Sequence, residues 1–436
     1  MGKIKIGIGI ITGRKNFIHV LEANYKDWKK SGFIDNPNIS IEVFIAYDLS
    51  FSGVEEKEFK KIPKEIINGV DGIVFLGEKQ VETITKEIKQ ENNISIKDSQ
   101  TIFGTHGYSK LRNTVLYSAI RKNIDYLLFI DDDEYPYAVV QKEDKLEWVT
   151  QSTLKVHLEN IMNCDVTYGY KCGYVSPIPY FDINQEVDEN ILKSFIEVMS
   201  NDAFNWKELK KLIYCNKGVT YANTNILHAT KPREVKLEKG GKWVWGTNLC
   251  LNLNKMKNSI PPFYNPPEAR GEDTFFSTML KNKKVLRVPV YSFHDSFQQY
   301  TEAMASEKFP NKLIGISKKD HVNERFLKAC LGWIRYKPLL TYIVNRENYT
   351  KTIKTMNIKL KESILDMCKV LQNNEFAQLE QELHTYNTQV KDHYKEYKHV
   401  GNTWKKVLNT MYLPKAEKKE RKTKVAKAKK EIMPAI

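Results

Sequence analysis

Short apolar runs alternate with amphipathic stretches through the first 140 residues, which predicts βαβ units and a mostly parallel sheet. Residues 3–12 read as a first strand, 17–30 as a helix, and 41–47 as a second strand ending at Asp48. A strand over 72–76 precedes a helical stretch over 78–91, and 101–104 reads as a short extended piece. A helix over 109–121 then feeds the strand 126–130, which runs into Asp131-Asp132-Asp133-Glu134 and is stopped by Pro136.

The pattern weakens from about 140 to 220, with a helix near 151–162 and an aromatic loop over 169–181. Residues 242–253 return to strand-like alternation, which would put Trp243 and Trp245 on one face. After a loop over 261–271 come a helix over 273–281 and a last strand, 285–293, ending in His294-Asp295. Past residue 298 the pattern is helical: 322–344 with a break at Pro338, then 353–371 and 375–397. The expected organisation is therefore an α/β domain over 1–298, a helical region over 299–412 and a basic tail over 413–436.

Composition adds limits. With 41% apolar, 11% aromatic and 28% charged residues the 436-residue chain has the makings of a packed core. No apolar run reaches the ~18 residues that span a bilayer. The six cysteines form no C-x-x-C pair, which argues against a zinc ribbon or a disulfide scaffold and for a reducing cytoplasmic setting. The opening MGKIKIGIGIITGR reads as a buried strand rather than a leader. A net charge of +15 suits phosphate-bearing ligands, polyanions or anionic lipid, but Lys-rich compositional bias explains it equally. The tail, with nine Lys/Arg against three Glu, supplies a large share of that excess.

Chemistry concentrates in three places. An acidic run at the end of a strand puts carboxylates at the carboxyl edge of a parallel sheet, where open α/β folds bind ligands. Hard oxygen donors there suit Mg²⁺ or Mn²⁺ held jointly with a diphosphate; the plain alternative is a strand ending at a solvated turn. Upstream, Gly107-Tyr108-Ser109-Lys110-Leu111-Arg112-Asn113 opens a helix with basic residues near that edge, an anion site or simply a capped amphipathic helix. Downstream, Arg270-Gly271-Glu272-Asp273 opens another helix, and His294 follows the last strand.

In this order the motifs resemble the GT-A-fold glycosyltransferases, particularly the inverting family 2 group, over about residues 3 to 295. The resemblance rests on SKLRNTVLYSAIRKNIDYLLFIDDDEYP and ARGEDTFFSTMLKNKKVLRVPVYSFHD. It implies a Rossmann-like, mostly parallel sheet flanked by helices and a metal-dependent transferase of the hexosyl or N-acetylhexosaminyl class. The sugar would move, with inversion, from a nucleotide-diphosphate donor, UDP-linked by expectation, to an acceptor hydroxyl. By the same resemblance Asp131, Asp133 and His294 would hold Mn²⁺ or Mg²⁺, and Asp273, with Glu272 beside it, would be the base. Thr12, Arg14, Asp48, Lys110, Arg112, Asn113, Asp131 and Asp132 would contact the nucleotide-sugar. Trp243, Trp245 and Arg270 are candidates for the sugar or acceptor. The sequence departs from the family at the first strand's end, Ile11-Thr12-Gly13-Arg14, and after the second, Asp48-Leu49-Ser50-Phe51-Ser52.

A polysaccharide, glycolipid, glycoprotein or phosphate-bearing acceptor fits this reading. The basic tail and the segment Leu331-Gly332-Trp333-Ile334-Arg335-Tyr336 suggest peripheral membrane contact, and the C-terminal helices suggest either packing on the catalytic domain or a homo-oligomer. Rival readings are a nucleotidyltransferase on a similar sheet and an inactive carbohydrate- or polyanion-binding protein.

Overall fold

The computed structural model describes residues 2–50, 53–143, 145–182, 186–199 and 206–412, so the basic tail predicted over 413–436 lies outside the described residues. The chain is mixed α/β: a large, mostly parallel sheet flanked by helices, followed by a helical C-terminal region. The strands are β1 (Ile4–Thr12), β2 (Ile39–Tyr47), β3 (Gly72–Leu76), β4 (Tyr126–Asp131), β5 (Glu134–Tyr135), β6 (Tyr137–Lys142), β7 (Lys145–Thr150), β8 (Val166–Gly173), β9 (Arg233–Glu234), β10 (Leu249–Asn252) and β11 (Val285–His294). The main sheet runs β3-β2-β1-β4-β10-β8-β11-β5, with β9 beside β11, while β6 and β7 form a separate hairpin. Strands β1 to β4 are mutually parallel, β10 runs against both β4 and β8, and β8 is parallel to β11. The carboxyl ends of β1, β2, β3, β4, β8 and β11 therefore share one edge.

Alternation along the inner strands divides the core between the two faces of the sheet. Ile6, Ile8 and Ile10 of β1 join Val43, Ile45 and Leu128 under the helix Phe17–Lys30. Phe44, Leu127 and Phe129 face the other way, under the helix Tyr108–Arg121 and Trp404 of the helix Val390–Met411. The Trp404 indole donates to the Ile260 carbonyl at 2.8 Å, so the last helix is part of that core. A third core joins the helix Glu189–Met199 to the helices Asp320–Val344, Tyr349–Leu371 and Gln378–Thr388.

Four expectations are corrected. The supposed aromatic loop begins as β8, an inner strand flanked by β10 and β11; covered on both faces, it shows no alternation to read. Residues 242–248 are not strand, because the helix Glu272–Thr278 satisfies their backbone: Ser277 takes the Lys242 N–H on its carbonyl and the Val244 N–H on its hydroxyl, and Asp273 takes that of Gly246. Residues 101–104 comprise the last two residues of the helix Ile96–Ile102 and the two after it, and Ser95 caps that helix by accepting from the Asp98 N–H. Pro338 sits inside a continuous helix, held by buried Ile334, Leu339 and Leu340 on either side.

The segment Leu331–Tyr336 is likewise not a surface for lipid: Ile334 and Tyr336 are buried against the rest of the molecule. Among the described residues no helix is long and apolar enough to cross a membrane.

Helix Phe17–Lys30 also buries a carboxylate. Asp27 is 3% exposed, and its Oδ2 finds no hydrogen-bond partner among the described residues. Burial pushes its pKa up to about 7, against the hydrogen bond from the Thr153 N–H. Because the folded state holds the proton more tightly than the unfolded chain, this group's contribution is greatest below pH ~4 and is lost as pH rises through 7. We expect Asp27→Asn to flatten the decline in stability between pH 4 and 7 and to be the more stable protein at pH 8 by about 1–2 kcal/mol, read by urea unfolding across that range.

Candidate active site

Residues distant in sequence meet at the carboxyl edge because the parallel strands all end there. β1 delivers Thr12 and Arg14, β4 the acidic run, β8 Lys171 and β11 His294; antiparallel β10 brings Gly246 and Thr247 to the same edge from the other direction.

Arg112 ties the first group together. It projects from the helix Tyr108–Arg121 with its side chain 3% exposed, lying between the rings of Phe129 and Phe263. Its Nη2 is 3.4 Å from Asp131 Oδ1, its Nε 3.4 Å from Glu272 Oε1, and its Nη1 donates to the Gly246 carbonyl. The helix Glu272–Thr278 starts immediately after Gly271, whose φ of 94° only glycine takes readily. A Cβ there would also come 2.9 Å from the Tyr336 ring. Asp273 is held by two backbone donors: its Oδ2 accepts from the Gly246 N–H at 3.1 Å, and its Oδ1 from the Thr274 N–H at 2.8 Å.

The second group surrounds Asp132 and Asp133. The Thr12 hydroxyl accepts from the Arg14 N–H and donates to Asp132 Oδ2 at 2.8 Å. Arg14 Nη1 lies 3.0 Å from Asp133 Oδ2 and 3.4 Å from Asp132 Oδ1. His294 Nε2 is 3.1 Å from Asp133 Oδ1, and its buried Nδ1 has no partner among the described residues. Burial opposes the Asp133 charge, but His294 and Arg14 outweigh it and hold that carboxyl well below its usual range. Asp132 is pushed up by burial and by Asp133. Asp131 keeps 29% of its side chain open to solvent, and partial burial raises its pKa against the pull of Arg112. His294 goes up: burial lowers it, and Asp133 more than reverses that.

The third group joins Glu134, the end of the acidic run, to Lys171, which the sequence did not single out. Glu134 is buried, with Lys171 Nζ 2.5 Å from its Oε1. The Thr247 hydroxyl accepts from Lys171 at 2.7 Å and donates to Glu134 at 2.6 Å, while Ser292 donates to the other oxygen at 3.1 Å. Burial acts against both charges, yet each partner stabilises the other: Glu134 goes down and Lys171 goes up. A lysine within the apolar run of β8 was the available signal. Lys171 Nζ also lies 5.6 Å from the centre of the Trp245 ring, which places that indole at the site.

Asp48 follows β2 at the same edge, where its N–H donates to the Thr12 carbonyl at 2.9 Å. Asp48 accepts on Oδ1 from Ser50, through its N–H at 2.9 Å and its hydroxyl at 2.6 Å, and pairs there with His106 at 2.9 Å. Lys110 runs along Gly104, and its charge bears on Glu396. Asn113 is corrected from a nucleotide contact to a structural clamp: 1% exposed, it bonds the carbonyls of Ile102 and Phe263 and the Phe263 N–H. The Trp243 indole donates to the Glu238 carbonyl, so the two tryptophans do not share a strand face. Arg270 lies against Gly332.

Asp133 and His294 fit a divalent ion as neighbours: two donors ~2.1 Å from one octahedral ion stand about 3 Å apart, as these do. Asp131 is drawn to Arg112 instead. Among the described residues no three His, Cys, Asp or Glu side chains come together as a metal-holding set, so further ligands would be substrate oxygens or water.

No protein-family model matches the chain, and no curated protein does. Among solved structures, mouse xyloside xylosyltransferase 1 in its apo form is similar at 9% identity and a TM-score of 0.23, over 72% of this chain and 96% of that one. A superposition that loose assigns neither reaction nor residues.

The Lys171–Glu134 pair gives a test of the site's construction. Removing one partner of a buried pair strands the other's charge, which costs about 3–5 kcal/mol, whereas replacing both is far milder. Lys171→Met should lose stability on that scale in urea unfolding, and Lys171→Met with Glu134→Gln should recover most of it.

Proposed function

We propose that the protein is a metal-dependent glycosyltransferase of GT-A type, moving a sugar from a nucleoside-diphosphate donor to an acceptor hydroxyl with inversion. The observation that carries this reading is the Arg112 bridge, which reaches across 160 residues of sequence to Glu272 while also holding Asp131, and so sets the acidic run and the Glu272-Asp273 pair side by side. Contact between Asp133 and His294 at the sheet's carboxyl edge supports it.

In this reading Asp133 and His294 hold a divalent ion, which as a Lewis acid would neutralise charge on the departing diphosphate. Arg14 adds positive charge beside the same carboxylates, and Thr12 holds Asp132 in place. Asp273 takes the proton of the acceptor hydroxyl as that oxygen attacks the anomeric carbon; its two backbone donors fix the carboxylate's aim. Glu272 works differently: burial and Asp273 push its pKa up against Arg112, so it answers to the bridge rather than to the acceptor. A single carboxylate opposite the leaving group gives one displacement and inversion, in contrast to the double displacement of retaining glycosidases.

The decisive measurement is a thermal-shift screen of UDP-, GDP- and dTDP-sugars with and without Mn²⁺, since a ligand that binds only the native state raises its stability. One donor should stabilise the protein in a Mn²⁺-dependent way, and Asp133→Ala or His294→Ala should abolish that dependence with the far-UV spectrum unchanged. Mn²⁺-dependent stabilisation surviving in both variants would move the ion elsewhere.

Once a donor is found, Asp273→Asn should keep its affinity while transfer drops by about 10²- to 10⁴-fold, the range a positioned general base supplies. NMR of the product's anomeric configuration reads inversion directly, and consumption of NTP with sugar 1-phosphate would replace this reading with nucleotidyl transfer.

A further inference from the structure

We propose that Arg270, just ahead of Glu272, and Arg325, bonded just beyond His294, together bind a phosphoryl group. The cations deeper in the site, Arg14, Arg112 and Lys171, each pair with a carboxylate. Arg270 and Arg325 pair with none among the described residues, although both are half-buried. Two half-buried guanidiniums that repel each other, with no carboxylate in ion-pair contact among the described residues, are unfavourable unless an anion joins them.

The fold holds them there. Arg325, Gly332 and Tyr336 stand at i, i+7 and i+11 of the helix Asp320–Val344, on one face. At one end of that face Arg325 stacks over Phe297, 4.8 Å from the ring centre, and donates to the Ser296 carbonyl, two residues beyond His294. Two turns along, the Arg270 side chain lies across Gly332, where a Cβ would come within 2.4 Å of its Cγ, and the Arg270 N–H donates to the Gly332 carbonyl at 3.1 Å. The absent side chain at Gly332 is what lets Arg270 lie along the helix.

A separate observation points to a missing group. Ser296 is 3% exposed, and its hydroxyl has no partner among the described residues. The electrostatics agree: burial lowers the Arg325 pKa, Asp133 pulls against that, and Arg14 and Arg270 add to it. Charge decides the kind of anion. Two unpaired monocations need about two negative charges, which a phosphoryl group supplies, at about −1.5 to −2 for a monoester, and a carboxylate does not. Its oxygens also suit the guanidinium fork.

Assigning that phosphoryl group to a substrate rests on the transferase reading above; the site itself rests on the geometry. The group would come from the donor's diphosphate or from a phosphate on the acceptor. Calorimetric titration of the full-length protein with inorganic pyrophosphate, uridine diphosphate and glycerol 3-phosphate, all with a chelator present, separates the two. We expect Arg270→Gln and Arg325→Gln each to weaken binding at least tenfold, with Arg325→Lys falling between Arg325→Gln and the parent. Losses shared by pyrophosphate and uridine diphosphate place the donor there; losses confined to glycerol 3-phosphate place an acceptor phosphate. Without any anion, removing one of two repelling charges should leave Tm level or raised. Unchanged affinity for all three probes in both Gln variants overturns the proposal, as does a lowered probe-free Tm with unaltered affinity, which would make the arginines structural. Because pyrophosphate and glycerol 3-phosphate need no turnover, a failure of the transferase reading leaves those two results standing.

Discussion

The buried guanidinium of Arg112 is the constraint on which the cleft depends. It is held by Asp131 from the end of β4, by Glu272 from the start of a helix and by the Gly246 carbonyl from the approach to β10. Asp131 ends a strand, Glu272 opens a helix and Gly246 belongs to neither, so no single hydrogen-bonded ladder fixes their relative positions. A planar group with five N–H donors in a fixed fork does what a ladder cannot: it sets three chain segments at once. The Gly246 N–H then reaches Asp273, so the aim of that carboxylate follows from the arginine two contacts away.

Charge balance is the second organising fact. Four consecutive acidic residues at a buried sheet edge would repel one another, and the fold answers with a cation for each part of the run: Arg112 at Asp131, Arg14 at Asp132 and Asp133, His294 at Asp133, Lys171 at Glu134. The four are not equivalent in consequence. Asp133 and Glu134 keep their charge against burial, while Asp131 and Asp132 are pushed the other way. Glu134 is thereby a structural pillar, sealed in with Lys171, Thr247 and Ser292, and Asp133 is the carboxylate left facing an imidazole.

What could be read from the chain follows the same physics. The parallel half of the sheet was legible because its strands and helices carry clean periods, and the ends of the helix Phe17–Lys30 and of β3 were read to the residue. Strand β8 was not, because a strand covered on both faces has no alternation to show and its glycines and tyrosines look like a loop. Residues 242–248 failed for the opposite reason: they alternate like a strand, but their backbone partners are a helix's residues, which no local pattern encodes. The acidic run, Glu272-Asp273 and His294 stood out as residue types, whereas Lys171 and Arg325 became visible only once the strands and the helical region were placed.

The C-terminal helices complete that picture, and they do so as walls rather than as an appendage. Trp404 closes one face of the sheet, and the helix Asp320–Val344 lays Gly332 on Arg270 and Tyr336 on Gly271, directly ahead of Glu272 and Asp273. The positive φ at Gly271 and the bare Cα at Gly332 are thus two sides of one constraint: the helix must come close enough to border the cleft, and only glycine leaves the room. The surroundings of Glu272 and Asp273 are therefore built by the helical region as much as by the sheet.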